Sequence, residues 1–223
     1  MLPSSLYFPP AESAAPDGLV GVGGQLTSDW IVDAYRHGIF PWPSSPRVLG
    51  WWSPDPRGIF ELDQFHISRR LARRLRSGEF TVTFDRDFAG VIEGCASAAG
   101  RVRNTWITPE LKRAYIRLHA EGIAHSVETW QEEQLVGGVY GIAIGGLFAG
   151  ESMFYRATDA SKVALAQLVE HLRERRYTLF DIQMVTAHTR TLGAQHITRR
   201  EYLSRLESAL ELPVTFAPGA TQP

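Results

Sequence analysis

Three strand-like runs separated by almost nothing constrain this chain more than any other feature. Residues 125–130, 135–144 and 147–154 are rich in β-branched and aromatic side chains, and only residues 131–134 and Gly145-Gly146 stand between them. Turns that short join antiparallel neighbours, so the stretch predicts a meander. Asp159 or Ser161 then opens an amphipathic helix with Val163, Leu165, Ala166, Leu168, Val169 and Leu172 apolar. It crosses over to a further strand at residues 178–184. The expected fold class is α+β, with a central mixed, mostly antiparallel sheet flanked by helices.

Two of these strands carry charge. By strict alternation Leu147, Ala149, Glu151 and Met153 share one face, and Phe148, Gly150, Ser152 and Phe154 the other. A carboxylate there must be paired, hydrated or used, because burying it alone is costly. Gly150 beside it lets a ligand approach the backbone. The bland alternative is a glutamate at the wet end of an edge strand. In the last strand Asp181 and Gln183 share a face, while Phe180 and Ile182 face the core. Side chains two residues apart can join, and an amide held by a carboxylate has its NH₂ ready to donate to an oxyanion. The alternative is an amphipathic strand with a solvated face.

The N-terminal part is less regular. Residues 1–24 carry Pro3, Pro9, Pro10 and Pro16; the glycines at 18, 21, 23 and 24 lack the Lys-Ser/Thr of a phosphate loop. Thr27 or Ser28 caps a short helix through Tyr35 that stops at Gly38. Residues 39–57 hold five prolines, which argue against regular structure, and also Trp42, Trp51 and Trp52. A proline-fixed aromatic loop forms either a wall of a binding site or a plug of the core; Trp42, between two prolines, suits the wall. A strand at 59–62, helices at 68–77 and 87–98, a strand at 80–84 and a loop at 101–106 follow. Thr108-Pro109-Glu110 is a helix start, and that helix runs to Gly122. Helical segments at 188–193 and 198–210 precede a Pro/Gly tail.

Composition excludes several classes. With 223 residues, 44% hydrophobic and 21% charged, the chain suits a globule of one domain, or one plus a small extension, rather than a disordered or membrane protein. One cysteine, Cys95, allows no internal disulfide and no cysteine cage, and a reducing cytoplasm fits. Seven histidines show no ligand spacing, so no metal is expected, and His125 reads as structural. Ser152 lacks the second glycine of a nucleophile elbow. A net charge of −1 gives no global pull on nucleic acid. Yet Arg69, Arg70, Arg73, Arg74 and Arg76 crowd one helix with no acid between them. That cluster reads as a phosphate contact, against the alternative of a solvated face.

Meander, crossover helix and following strand resemble the acetyltransferase-like (GNAT) architecture. The CoA-binding turn of that fold is not matched: Gln134-Leu135-Val136-Gly137-Gly138-Val139 fails at its last position and lies within an expected strand. A closer resemblance rests on motifs that occur in a fixed order. They are Gly38-Ile39-Phe40-Pro41-Trp42, Trp51-Trp52-Ser53-Pro54-Asp55-Pro56-Arg57 and Thr105-Trp106-Ile107-Thr108. His125-Ser126 with Trp130, Leu135-Val136-Gly137-Gly138 and Gly150-Glu151-Ser152-Met153-Phe154 continue the series. Ala160-Ser161-Lys162, Asp181-Ile182-Gln183 and Leu192-Gly193-Ala194 complete it. In this order the chain, from about residue 18 to 206, resembles the leucyl/phenylalanyl-tRNA–protein transferase family.

The resemblance implies a small N-terminal domain, residues 1–57, on a GNAT-like catalytic domain, residues 58–223. It implies transfer of Leu or Phe, with Met possible as donor, from aminoacyl-tRNA to proteins that begin with Arg or Lys. That reaction marks them for degradation in an N-degron pathway. Asp181 and Gln183 match the family's catalytic pair and Glu151 its active-site carboxylate, with Ser152 beside it in the substrate site. Trp42 and Trp106 match contacts to the aminoacyl-adenosine end; Phe148 and Met153 match walls of the donor side-chain pocket. Arg69, Arg70, Arg73, Arg74 and Arg76 match the basic region that meets tRNA. No cofactor, metal or membrane is implied, and a cytoplasmic monomer is. Tyr155, Val139 and Leu168 depart from the family's usual residues and leave the donor preference open. An aminoacyl ester is already activated, so the chemistry needs an oxyanion donor, a neutral amine and a proton for the ribose oxygen. Gln183 is expected to donate to the oxyanion or hold the amine, Asp181 to orient Gln183 and favour proton loss, and Glu151 to bind an α-ammonium group. A CoA-dependent acyltransferase and a non-catalytic tRNA- or degron-binding adaptor are the alternative functions.

Overall fold

The structure is a computed structural model that describes residues 2–45, 48–98 and 105–216. Residues 101–104 of the expected loop and 217–223 of the expected tail lie outside the described residues. Along the chain run β1 (Leu19–Val22), α1 (Ser28–Arg36), β2 (Phe40–Ser45), β3 (Val48–Trp52), β4 (Arg57–Phe60), α2 (Arg69–Arg76), β5 (Thr81–Phe84), α3 (Phe88–Ala96) and α4 (Pro109–Ala120). Then come β6 (Ala124–Gln131), β7 (Gln134–Ile144), β8 (Leu147–Tyr155), α5 (Ala160–Glu174), β9 (Leu179–Gln183), α6 (Ala187–Arg190), β10 (Ala194–Ile197) and α7 (Arg199–Leu210). The helix starts are set by local chemistry. Thr27, Ser68, Asp87 and Thr108 each accept a backbone N–H of the first turn of α1, α2, α3 and α4.

Seven strands form the central sheet, in the order β10-β4-β9-β8-β7-β6-β5. β6, β7 and β8 are the antiparallel meander, α5 is the crossover, and β9 returns parallel to β8. Every other pairing in the sheet is antiparallel. Apolar side chains pack on both faces. One cluster joins α1, α3, α4 and α7 to the sheet; the other lies under α5 and α2. Gly137 lets α5 start close against β7, since a Cβ there would lie 2.6 Å from the Cβ of Ala160.

Within residues 39–57, residues 40–45 and 48–52 form strands after all, and 53–56 are irregular. β2 and β3 pair antiparallel, β1 adds on the far side, and the order β1-β3-β2 makes β2 an edge. An edge strand has N–H groups that need no partner, so Pro41 and Pro43 cost it no ladder bonds. A count of prolines does not register this, because the effect of a proline depends on where in a sheet it sits. Residues 194–197, passed over in the sequence, form β10 on the outer edge beside β4.

Two irregularities in the central sheet matter most. The parallel pairing of β8 with β9 stops at Ala149 and Asp181, and beyond that point no register is kept. Between β7 and β8 the register jumps: Tyr140 faces Ser152, yet Gly141 faces Gly150, so Glu151 is the extra residue of a β-bulge. The bulge reverses the alternation expected for β8. Phe148 before it and Met153 after it pack on the α5 side, whereas Leu147, Ala149 and Phe154 pack on the other. Gly141 is what makes room, because a Cβ there would lie 2.3 Å from the carbonyl oxygen of Ala149. Gly141→Ala is therefore expected to destabilise the fold by about 1–3 kcal/mol, as overpacking does. The reading is the chemical-denaturation midpoint at unchanged slope; a wild-type midpoint would contradict the bulge's dependence on this glycine.

Candidate active site

Where β8 and β9 part, a cavity of about 480 Å³ opens. Its apolar wall comes from Phe60, Val139, Met153, Leu165, Phe180 and Ile182. Trp42 and Trp106 close one side as a stacked pair, ring centroids 4.6 Å apart and planes 13° apart. The carbonyl of Trp42 accepts the indole N–H of Trp52 at 3.0 Å, which fixes β2 at this point. Glu151, Ser152, Gln183 and His188 bring polar groups to the wall, and the exposed side chains of Tyr155 and Met184 stand at the rim.

Asp181 lies behind this wall, fully buried, with Arg57. The guanidinium grips it in a fork: Nε donates to Oδ1 at 2.9 Å and Nη2 to Oδ2 at 2.7 Å. Nη1 donates to the carbonyl of Gly38 at 3.0 Å, and the Tyr202 hydroxyl donates to Oδ2 at 2.9 Å. Burial opposes the charge on Arg57, but Asp181 outweighs it and holds the guanidinium's pKa above its ordinary value. The rings of Phe40 and Tyr202 flank the guanidinium at 4.8 and 4.3 Å.

Asp181 reaches Gln183 through the backbone. Its Oδ1 accepts the main-chain N–H of Gln183 at 2.9 Å, whereas the sequence reading had it hold the side-chain amide. Its oxygens are otherwise taken by Arg57 and Tyr202. Gln183 adopts φ +56°, and the N–H of Met184 reaches the carbonyl of Ile182 at 2.5 Å, a tight γ-turn with a non-glycine residue at its centre. Such a conformation persists only where its surroundings impose it. The turn aims the amide at β8, where Nε2 donates to Glu151 Oε1 at 3.2 Å.

Glu151, at the bulge, is the other polar centre. Tyr35 donates to Oε1 at 2.6 Å and Tyr115 to Oε2 at 3.0 Å. Burial pushes its carboxyl up to about 7 against the pull of these two hydroxyls, and the nearby charge of Asp181 adds to the rise. Burial, and then the charge of Glu151, raise both tyrosines well above their ordinary range, so both remain protonated.

Of the residues singled out in the sequence, Glu151, Gln183, Ser152, Met153, Trp42 and Trp106 line the cavity together. Phe148 stands one layer behind, edge-on to Phe180 at 5.6 Å. The arginines of α2 divide. Arg70 donates to Asp159 from Nε and Nη2, at 2.9 and 2.7 Å, and Arg74 pairs with Glu79. The acids missing from the helix itself thus come from elsewhere. Arg69, Arg73 and Arg76 are exposed. His125 is structural, held by Asp85 at 2.7 Å and stacked on Phe216. Among the described residues no group of His, Cys, Asp and Glu is placed to hold a metal ion, and no helix is long and apolar enough to cross a membrane. Sequence reasoning missed Arg57, Tyr202, Tyr35 and Tyr115. Tyr35 entered only as part of a short capped helix, Tyr115 lay unremarked in the helix that runs to Gly122, and Arg57 closed the proline-rich stretch.

Comparison with known proteins agrees over most of the chain. The family model described as leucyl/phenylalanyl-tRNA protein transferase matches residues 59–207, and the one described as that protein's N-terminal domain matches residues 24–55. Leucyl/phenylalanyl-tRNA–protein transferase of Stutzerimonas stutzeri is 51% identical over 210 residues, 93% of each chain. Its counterpart in Azotobacter vinelandii is 51% identical over 213 residues, 95% of this chain and 94% of its own. Among solved structures, a GCN5-related N-acetyltransferase-like protein from Streptococcus suis aligns with a TM-score of 0.37 and 13% identity, over 77% of this chain and 64% of its own.

The raised Glu151 carboxyl links folding to pH. Its ordinary value is 4.5 and its folded value about 7, so between these the folded protein keeps a proton that the unfolded chain has lost. This group's contribution is therefore greatest at low pH, falls as pH rises through that window and levels off above it. Glu151→Gln is expected to remove that slope. The check is the difference in unfolding free energy between wild type and Glu151→Gln across the window; a constant difference would contradict the shift.

Proposed function

This chain belongs to the leucyl/phenylalanyl-tRNA protein transferase family, and on that premise we propose that it is an aminoacyltransferase moving leucine or phenylalanine from tRNA to the α-amine of a protein. The observation that carries the reading at the level of the site is an apolar cavity with a backbone-locked amide, Gln183, hydrogen-bonded to a carboxyl group, Glu151, on its wall. Phe60, Val139, Met153, Leu165, Phe180 and Ile182 suit an apolar donor side chain, Met included. The stacked Trp42 and Trp106 suit the flat adenine at the tRNA end.

The same proposal gives each residue a role. Gln183 donates to the developing oxyanion or holds the attacking amine, and Glu151 faces the α-ammonium of the acceptor. Ser152 and Met153 contact the donor, and Phe148 supports Phe180 from behind. Asp181 acts through Gln183: it sets the turn, with its own charge matched by Arg57. Because the ester is already activated, the scheme needs no cofactor. Arg69, Arg73 and Arg76 offer free cationic heads to tRNA phosphates, while Arg70 and Arg74 anchor α2 to neighbouring acids.

Acceptors that begin with Arg or Lys, marking for N-degron degradation, a monomeric state and a cytoplasmic location belong to the same proposal. So does a division into residues 1–57 and 58–223, in keeping with a separate three-stranded sheet and with family matches that part between 55 and 59. A CoA donor fits less well. Residues 134–139, which miss the last position of that fold's CoA-binding turn, lie within β7 rather than where a strand meets a helix.

The test mixes the protein with labelled Phe-tRNA and a protein bearing N-terminal Arg. Label is expected to enter protein, and Gln183→Ala is expected to slow transfer at saturating tRNA by about 10²-fold, the usual loss for one oxyanion donor. Transfer at wild-type rate in Gln183→Ala would remove Gln183 from the chemistry.

A further inference from the structure

Three close oxygen contacts form a closed triangle at Glu151. Tyr35 lies 2.6 Å from Oε1, Tyr115 lies 3.0 Å from Oε2, and the two hydroxyls lie 2.7 Å from each other. Each contact needs one proton between its oxygens. The hydroxyls supply two. With a carboxylate, both are spent on Oε1 and Oε2, and nothing lies between the tyrosines. With a carboxylic acid the ring closes: Oε2–H donates to Tyr115, Tyr115 to Tyr35, and Tyr35 to Oε1. Gln183 Nε2 donates to Oε1 in either state. The cluster is thus built to accept one proton and keep every member paired.

Resting on the aminoacyl transfer reaction above, we propose that Glu151 is a catalytic residue that takes a proton from the acceptor's α-ammonium, and that Tyr35 and Tyr115 close a hydrogen-bonded ring around the acid so formed. The α-ammonium gives up two protons in all. The first moves to the Glu151 carboxylate, freeing the lone pair that attacks the ester carbonyl. A C–N bond forms, the C–O bond to the ribose breaks, and the second proton leaves nitrogen for the ribose oxygen. Glu151 then releases its proton to water, which restores the carboxylate.

The energetics suit the step. An α-amine titrates near 7.7–8.0 and an ordinary glutamate near 4.3, so an ordinary carboxylate would take the proton uphill by more than about three powers of ten. With Glu151 at about 7 the transfer is nearly level, because burial disfavours its charge. The groups that set this balance come from every element packed around it: Tyr35 on α1, Tyr115 on α4 with Tyr140 of β7 against its ring, and Asp181 and Gln183 on β9. Arg57 on β4 opposes the charge of Asp181, and Tyr202 on α7 ties into that pair.

The experiment is single-turnover transfer from saturating Phe-tRNA to a saturating peptide with N-terminal Arg, followed across pH. Wild type is expected to show an acidic limb set by Glu151, near 7. Glu151→Gln is expected to lose about 10²-fold or more in the saturated rate at neutral pH. Its limb should move up to that of the free amine, about 8, so that the deficit shrinks as pH rises. Tyr35→Phe or Tyr115→Phe removes a donor to the carboxylate and should raise the limb above that of wild type. A ¹³C-NMR titration of the Glu151 carboxyl in free wild-type protein reads the same group without activity, and a midpoint in the ordinary glutamate range would overturn the proposal. So would a Glu151→Gln enzyme with raised KM for the peptide but wild-type saturated rate and limb, which is the signature of binding alone. Absence of any transfer by wild type would overturn the reaction itself, and this step with it.

Discussion

The buried pair of Arg57 and Asp181 is the interaction on which the rest of the site depends. Taking two charges out of water costs several kcal/mol per ion, and only dense, well-aligned hydrogen bonding offsets it. Here the pair has that bonding. The fork from Arg57, the Tyr202 hydroxyl, the Gly38 carbonyl and the Gln183 main chain satisfy its donors and acceptors at 2.7–3.0 Å. These partners lie on four separate pieces of chain: the end of α1, β4, β9 and α7. One pair of charges therefore ties the N-terminal helix and the last helix to the middle of the sheet. The same pair holds Gln183 in a backbone conformation it would not otherwise keep.

Two faults in the sheet do the remaining work. β8 and β9 stop pairing at Ala149 and Asp181, which opens the cavity, and the bulge at Glu151 turns that carboxyl to meet Gln183. Neither would form a site alone. A parted pair of strands without the bulge would present only apolar wall. A bulge beside a fully paired β9 would bury Glu151 with no cavity to face. Together they place an amide and a raised carboxyl side by side at the edge of an apolar pocket.

How much of this was legible in the sequence follows from the range of each contact. The meander, the crossover helix and the caps at Thr27 and Thr108 depend on residues a few positions apart, and they were readable. The polar residues of β8 and β9 stood out because they broke an apolar pattern. Their partners did not, since Tyr35 and Tyr115 meet across 80 positions and Arg57 and Asp181 across 124. Strict alternation set Phe148 and Met153 on opposite faces, and the bulge brings them to the same one. The prolines of β2 misled because their meaning turns on whether a strand lies at an edge, which no local pattern records.

The measurement that bears most directly on the central claim replaces the pair by apolar residues, Arg57→Met with Asp181→Leu, beside the single Arg57→Ala. The single change leaves a buried carboxylate unpaired and should cost about 3–5 kcal/mol, much of which the double change should recover. Transfer from Phe-tRNA is the decisive reading. If the pair exists to hold the Gln183 turn, the double variant folds well yet transfers about 10²-fold more slowly than wild type, having lost the acceptor for the Gln183 N–H. A double variant that regains both stability and wild-type transfer would contradict this account, since the turn would then stand without the charge beneath it.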